Sequence, residues 1–378
     1  MHMFDFGLAL RLLLRTFSLR RDSLRYPTRR RVFMVLLLPL FALTTIVNWV
    51  FLGLDEVLFA RYRRQALPRV VFITGVPRTA TTYLYHLLAA DTAQFTCFRL
   101  WELILAPSIC QKYFFRVLGW VDRRLGSPLH HLADGLDKYI FGAFRGIHDI
   151  GLRKPEEDEA LLLLIFSSVY LSYFFPDTAA LDPLLHFDRA LPQRQQDHIL
   201  QFYRRCVQRH CYVHDPQGQR FFLSKNPTFA CKLGALARHF PQGRVLYLLR
   251  SPLRTIPATI SLNAHIYAGF TRLHEPYPLA ARTKDLVIAW YQMAHEALQG
   301  PWAYRHRVLS FEAVSQTPHH TVADVYAWLG LQPDEATRQR LIGAAAAARA
   351  YQSPHRYDTG IAVDVAELAA KLPFLFEK

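Results

Sequence analysis

RVVFITGVPRTATTYLYHLLAAD, Arg69 to Asp91, decides the fold of this chain. Its first seven residues form a short apolar, β-branched run that ends at Gly75, the pattern of a buried strand. A hydroxyl-rich turn follows, and apolar residues at helical spacing then run from about Thr81 to Ala90. A strand that passes through a tight turn straight into a helix aims backbone N–H groups and a positive helix end at one point, which makes an anion site. Against the triphosphate P-loop pattern, Gly75 and Thr82 match the two ends, Ala80 stands where glycine is expected, and Thr81 stands where lysine is expected. A γ-phosphate would lack its lysine here, while Arg78 offers a planar guanidinium fork instead. With no acidic strand end to supply a magnesium ligand, the loop suits a nucleotide carrying one 5′ anionic group, and no metal is expected.

Outward from this stretch, further strands are predicted at Phe221 to Lys225 (FFLSK), Arg244 to Arg250 (RVLYLLR) and Arg307 to Glu312 (RVLSFE). Helices are predicted over Glu156 to Phe175, Gln193 to Cys211, Arg282 to Leu298, His319 to Leu329 and Asp334 to Ala350. Continuously apolar strands alternating with helices imply an α/β fold, a P-loop-like parallel sheet flanked by helices on both faces. RVLYLLRSPLRTIPATISL repeats the strand–turn–helix arrangement, so Arg250 leaves the C-terminal end of a parallel strand toward the ligand crevice. Arg250 and Arg254, with the nearby hydroxyls of Thr259 and Ser261 on the following helix, suit a second phosphate. Residues 100–155 and 262–282 resist assignment and have the length of lid or acceptor-site segments.

The chain has 378 residues, 51% of them hydrophobic, a formal charge of +15 and five cysteines. That composition excludes disorder, and the scattered cysteines exclude a disulfide scaffold. The charge is uneven: residues 1–70 hold twelve arginines and no lysine against Asp5, Asp22, Asp55 and Glu56. Val32 to Leu54 then runs 23 residues without a charge, long enough to cross about 30 Å of hydrocarbon as a helix. Residues 1–31 read as a basic amphipathic segment, 32–65 as a membrane-spanning or re-entrant segment, and 66–378 as one catalytic domain. Arginines flank both ends of the apolar run, which favours a hairpin bent near Pro39 over a span; a buried helix pair is the third possibility. The basic charge sits beside the apolar segment and no nucleic-acid-reading motif accompanies it, so a membrane surface, not nucleic acid, is the expected partner.

GVPRTATTYLYHLLAAD resembles the 5′-phosphosulfate loop of the sulfotransferases, and FFLSKNPTFACKLGALARHFPQGRVLYLLRSPLRTIPATISL is similar to the same family's KSP segment and 3′-phosphate motif. RVLSFEAVSQTPHHTVADVYAWLGL resembles the later strand-and-helix stretch, so the likeness covers most of residues 69–330, nearest to the bacterial branch acting on small-molecule, carbohydrate and lipid alcohols. The resemblance implies 3′-phosphoadenosine 5′-phosphosulfate (PAPS) as sulfuryl donor. Cofactor binding then falls on Gly75, Pro77, Arg78, Thr79, Ala80, Thr81 and Thr82, on Arg250 with Thr259 and Ser261, and on Arg356 and Tyr357 of the late SPHRYD segment. Ala80 replaces the family's loop glycine, Ala258 its serine eight residues after the arginine, and Ser251 its usual aspartate.

Sulfuryl transfer is an in-line displacement with charge building on the leaving oxygen, which cationic and backbone donors can stabilise. The acceptor hydroxyl needs a base within reach. By resemblance to the tyrosyl-protein and trehalose sulfotransferases that base is Glu102 in RLWELILAP, where apolar neighbours would raise its pKa; a helix-cap carboxylate is the alternative. Lys225, ending FFLSK, is expected at the leaving oxygen with Arg78 assisting, and His148 near the acceptor or as an alternative base. Glu156, Glu157 and Asp158 follow Pro155 and are explained by the dipole of a helix beginning there.

The sequence therefore predicts a membrane-associated sulfotransferase acting on a lipid, glycolipid or carbohydrate alcohol, its catalytic domain on the cytoplasmic face. The alternative is a catalytically inactive nucleotide- or lipid-binding membrane protein on the same fold.

Overall fold

The computed structural model describes residues 4–17, 28–141, 150–176, 179–270, 277–350 and 363–376. Five parallel strands, β1 (Arg69–Thr74), β2 (Phe95–Thr96), β3 (Phe221–Lys225), β4 (Arg244–Leu249) and β5 (His306–Ser310), are ordered β2-β3-β1-β4-β5. The helices of the first half are α1 (Phe6–Phe17), α2 (Thr28–Leu58), α3 (Thr81–Ala89), α4 (Leu100–Leu105), α5 (Ile109–Arg124), α6 (Pro128–Phe141), α7 (Glu159–Leu163), α8 (Leu171–Phe174), α9 (Asp182–Leu185) and α10 (Phe187–Ala190). Those of the second half are α11 (Gln193–His214), α12 (Leu233–His239), α13 (Pro252–Phe270), α14 (Ala280–Gln299), α15 (Phe311–Gln316), α16 (Pro318–Leu329), α17 (Glu335–Ala350) and α18 (Val365–Lys371).

The period of two along the strands divides the core. Val70 and Phe72 of β1 join Phe222, Val245 and Tyr247 in one cluster, while Val71 and Ile73 join Leu223, Leu246 and Leu248 in the other. The first is covered by α11, α12 and α14, and the second by α3, α16 and α17. The predicted α/β architecture is therefore present, with β1 central between β3 and β4. Ile73 of β1 is in register with Lys225 of β3, and Thr74 with Tyr247 of β4. The loops leaving β1, β3 and β4 thus meet at one edge of the sheet.

The predicted helix over Glu156 to Phe175 is instead two short ones, α7 and α8. Between them Phe166 adopts φ 56°, and Ser168 accepts a hydrogen bond from the Tyr170 N–H at 3.0 Å, so local side-chain bonding ends the helix there. The predicted lid region between 100 and 155 is largely helical, as α4, α5 and α6.

The apolar front is one uninterrupted helix, α2, with Pro39 inside it. The hairpin bent near Pro39 is therefore not formed. Pro39 stands on the exposed side, and burial on both sides of it holds the helix through the missing donor. Met34, Thr45, Asn48, Leu52 and Asp55 form a buried stripe along α2. Asn48 donates to the Ile104 carbonyl at 2.9 Å and accepts from Gln111 at 2.7 Å, and the Trp49 indole N–H donates to the Leu164 carbonyl at 2.9 Å. Asp55 accepts from the Ile109 N–H at 2.8 Å, the Cys110 N–H at 3.0 Å and Arg209 at 3.0 Å, so it caps α5 and ties α2 to α11.

Candidate active site

The turn after β1 is built by close packing. A Cβ on Gly75 would come within 2.4 Å of the Leu248 carbonyl oxygen and 2.9 Å of Thr79 Oγ1, so only glycine lets the chain leave β1 alongside β4. Thr79 is fully buried and donates to the Val76 carbonyl at 2.8 Å. Arg78 and Ala80 have φ values of 72° and 68°, the left-handed region that costs a residue with a Cβ about 1 kcal/mol. Ala80 is the N-cap of α3 and offers no side-chain cap, and the first turn holds no acid. The helix end is thus left positive toward the cleft. Thr81 is buried and Thr82 half-buried at that end.

Lys225 reaches this point from the end of β3. Its side chain is fully buried, and Nζ donates to Thr82 Oγ1 at 3.2 Å and to Glu157 Oε1 at 2.8 Å, with Glu156 Oε1 at 3.6 Å. From the other side comes Arg250, whose Nη1 donates to the Arg78 carbonyl at 2.9 Å while its guanidinium stacks 4.0 Å from the Phe311 ring. The Tyr291 hydroxyl donates to the Arg250 carbonyl at 2.6 Å, and Thr259 donates to the Pro77 carbonyl at 3.4 Å and to Thr255 at 2.9 Å. The structure therefore brings together Gly75 to Thr82, Lys225, Arg250 and Thr259. Ser261 is half-buried further along α13, and Ala258 is wholly buried, so the serine position of the resemblance faces the core. His148, Arg356 and Tyr357 lie outside the described residues.

The acidic run is placed by long-range contacts. The segment before it pairs with 98–101, through Leu100 N–H to the Lys154 carbonyl at 3.1 Å and Glu156 N–H to the Phe98 carbonyl at 3.2 Å. Glu159, fully buried, accepts from both Asn226 Nδ2 and Thr228 Oγ1 at 2.8 Å and from Lys232 Nζ at 2.7 Å. It fastens the Asn226-Pro227-Thr228 turn and holds Glu157, two residues earlier, over Lys225. Asp158 is fully buried, accepting from the Tyr203 hydroxyl at 2.5 Å, and burial pushes its pKa up to about 7 against hydrogen bonds from Tyr203 and Ser224. The helix begins only at Glu159, so the dipole account of Glu156, Glu157 and Asp158 gives way to specific partners. The legible signal was an acidic triplet behind a proline; Lys225, its partner, is far away in sequence.

Glu102 behaves contrary to the expectation of a raised pKa. It is 1% exposed and caps α4, accepting from the Arg99 N–H at 3.0 Å. His214 Nε2 lies 2.8 Å, Lys112 Nζ 3.4 Å and His210 Nδ1 3.5 Å from its Oε1. Burial alone would raise its pKa, but the Lys112 ammonium, aided by the imidazoles, outweighs burial and holds it well below the usual carboxylate range. Burial pushes His210 down to about 3, and its Nε2 lies 2.9 Å from Thr96 Oγ1. Glu102, His210 and His214 have donor atoms within 4.8 Å of one another, yet Lys112 already supplies the local positive charge. The cluster welds β2, α4, α5 and α11 together.

Between α8, α13 and α14 is a cavity of about 70 Å³ whose lining includes Tyr173, Phe175, Asn263, Tyr267 and Tyr277. Asn263 is one helical turn beyond Thr259 on α13. Tyr170, whose hydroxyl donates to Glu157 Oε2, packs against Tyr173 with ring centroids 5.7 Å apart. Tyr173 of the cavity lining thus packs against the tyrosine that bonds Glu157.

The model of a family described as "Sulfotransferase family" matches residues 68–335. Two curated relatives, the omega-hydroxy-beta-dihydromenaquinone-9 sulfotransferases Stf3 of Mycobacterium bovis and Mycobacterium tuberculosis, are each 24% identical over 285 residues. That match covers 72% of this chain but 65% of theirs, just under two thirds of the relatives' length. In crystal structures, sulfotransferase STF1 from Mycobacterium tuberculosis superposes with a TM-score of 0.70 at 19% identity, over 98% of this chain and 92% of that one. Sulfotransferase STF9 from Mycobacterium avium does so with a TM-score of 0.69 at 15% identity, over 99% and 96%. These likenesses concern the fold.

Proposed function

We propose that this chain, which belongs to the sulfotransferase family, moves the sulfuryl group of PAPS to the hydroxyl of a lipid-like alcohol, with Glu157 as the base. One observation carries the reading: the buried Lys225 ammonium bonds both Thr82, at the helix end of the phosphate loop, and Glu157. A cation and a carboxylate are thus aimed at the same point.

The residues fit the donor. The loop from Gly75 to Thr82 supplies a positive helix end for the 5′ group, and Arg250, held beside it by the Arg78 carbonyl, supplies a fork for the 3′-phosphate. When bound, PAPS supplies an activated sulfuryl group. Lys225 and Arg78 then hold positive charge where the leaving oxygen becomes anionic, without reorganisation of water. Glu157 holds the acceptor proton; Glu102, expected in that role, is occupied by Lys112 and two histidines and has a lowered pKa. The menaquinone-derived acceptor in the relatives' name supports a lipid class. Residues 66–378 form the transfer domain in this reading. Residues 1–65 associate with the cytoplasmic face of a membrane.

Calorimetric titration of the detergent-solubilised protein with 3′,5′-adenosine bisphosphate, with ATP–magnesium for comparison, tests the donor site. The bisphosphate alone should bind, and Arg250→Ala should weaken it about 10- to 100-fold, the loss of one charge-assisted pair. Binding without turnover of labelled PAPS across a panel of lipid alcohols would favour an inactive nucleotide-binding protein on the same fold.

A further inference from the structure

Among the described residues, the large apolar side chains that stand exposed are unevenly distributed. All but five of them, Tyr304, Val308, Ile342, Val365 and Phe376, lie between Phe6 and Tyr139. On α2 they form one line at three- and four-residue steps, from Leu36 through Leu40, Leu43, Val47 and Val50 to Leu54. That line runs opposite the buried stripe from Met34 to Asp55, so α2 is laid against the body along its length and apolar on the side away from it. The same division holds on α5, where Ile109, Gln111, Lys112 and Asp122 are inward and Phe114, Val117, Trp120 and Val121 are outward. On α6, Leu129, Leu132 and Leu136 stand exposed. Helix α5 packs against both α2 and α6.

An apolar surface of this extent far exceeds what a soluble monomer leaves in water. Its charge identifies the occupant. Arg116, Arg123 and Arg124 lie along α5, with the Arg124 guanidinium 4.7 Å from the Trp120 ring, and Arg61, Arg63 and Arg64 follow α2. Arginines rimming aromatic and aliphatic side chains match anionic headgroups above acyl chains. A helix crossing the bilayer alone would meet lipid on every side. Here Asn48 and Asp55 are bonded to α4, α5 and α11, and exposing them to hydrocarbon would leave buried polar groups unpaired.

We propose that α2, α5 and α6 form a single face that inserts into one leaflet of an anionic bilayer, with α5 and α6 contributing as directly as the long apolar helix and without a membrane crossing. This rests on the reading of the front segment as membrane-associating. It adds that the contact is composite and one-sided, so the lipid acceptor is met at the surface from which it is drawn.

The test is flotation of the full-length protein with phosphatidylcholine vesicles containing phosphatidylglycerol, with pure phosphatidylcholine for comparison. Wild type should float with the anionic vesicles, less at 1 M salt. The double substitution Val117→Asp and Trp120→Asp, at exposed positions, should weaken partitioning at least about tenfold with unchanged circular dichroism. Brominated lipid should quench a fluorescence component that Trp120→Phe removes. A double variant that floats like wild type and resists alkaline carbonate extraction would overturn the composite face while sparing the membrane reading of α2. Failure of wild-type protein to float, with the apolar face covered in a higher oligomer by light scattering, would overturn both.

Discussion

Replacing Glu157 by Gln keeps the size and one acceptor oxygen for Lys225 and removes the capacity to take a proton. Because Glu156 Oε1 lies 3.6 Å from Lys225 Nζ, the ammonium keeps an anionic neighbour, and stability should change by about 1 kcal/mol or less. Loss of a general base typically costs about 10²- to 10⁴-fold in rate, or about 3–5 kcal/mol of transition-state stabilisation. The counterpart is Glu102→Gln. There the lost charge leaves Lys112, 1% exposed and 3.4 Å away, without its carboxylate. Breaking such a buried pair costs about 3–5 kcal/mol of stability. The two substitutions should therefore separate cleanly. Glu157→Gln should melt within a few degrees of wild type, bind 3′,5′-adenosine bisphosphate normally and lose at least about a hundredfold in kcat with labelled PAPS. Glu102→Gln should melt several degrees lower, and whatever fraction remains folded should retain turnover. A Glu157→Gln enzyme within threefold of wild type, beside a fully stable and inactive Glu102→Gln, would refute the assignment and return the base to Glu102.

Two further outcomes follow from the same geometry. Ala80→Gly relieves a left-handed residue at the α3 N-cap and should stabilise the protein by up to about 1 kcal/mol while leaving bisphosphate affinity intact, whereas Gly75→Ala, colliding with the Leu248 carbonyl, should abolish that affinity; thermal melts and titration of the two variants check both. Asp158 has a folded pKa of about 7, above its unfolded value, so the native state binds more protons than the unfolded state between about pH 4 and 7 and stability falls as pH rises through that window. Relative to Asp158→Asn, wild type should lose about 2–3 kcal/mol between pH 5 and pH 8, read as the pH dependence of the difference in Tm; a flat difference would show that Asp158 stays ionised.

Much of the fold was legible because its determinants are local. Arg69 to Asp91 carries its strand, its turn and its helix in consecutive residues, and continuous burial along β1, β3 and β4 follows from each strand's own run of apolar side chains. The phosphate loop was legible for the same reason. Even the departure at Ala80 fell at a backbone position in the left-handed region, where glycine is the usual occupant. The break in the expected helix from Glu156 to Phe175 was not legible, because its apolar residues continue through the turn at Phe166. What ends the helix is hydrogen bonding among Ser168, Tyr170 and Glu159.

Charge placement belonged to the tertiary structure. Glu102 stands alone among apolar residues and Glu157 in an acidic run, and neither setting along the chain says which cation each will meet. Packing gives Glu102 the cation of α5 and two histidines of α11, and it gives Glu157 the lysine of β3 at the phosphate loop. Asn48 and Asp55 likewise acquire their roles only through partners on α4, α5 and α11. The sequence by itself determined the strand–loop–helix elements and the anion loop, since each rests on contacts within a few residues. Only the folded chain decided which acid is trapped, which faces the cleft and which side of the long helix is left bare, because Coulomb and hydrogen-bond energies depend on distances between residues that the chain alone holds far apart.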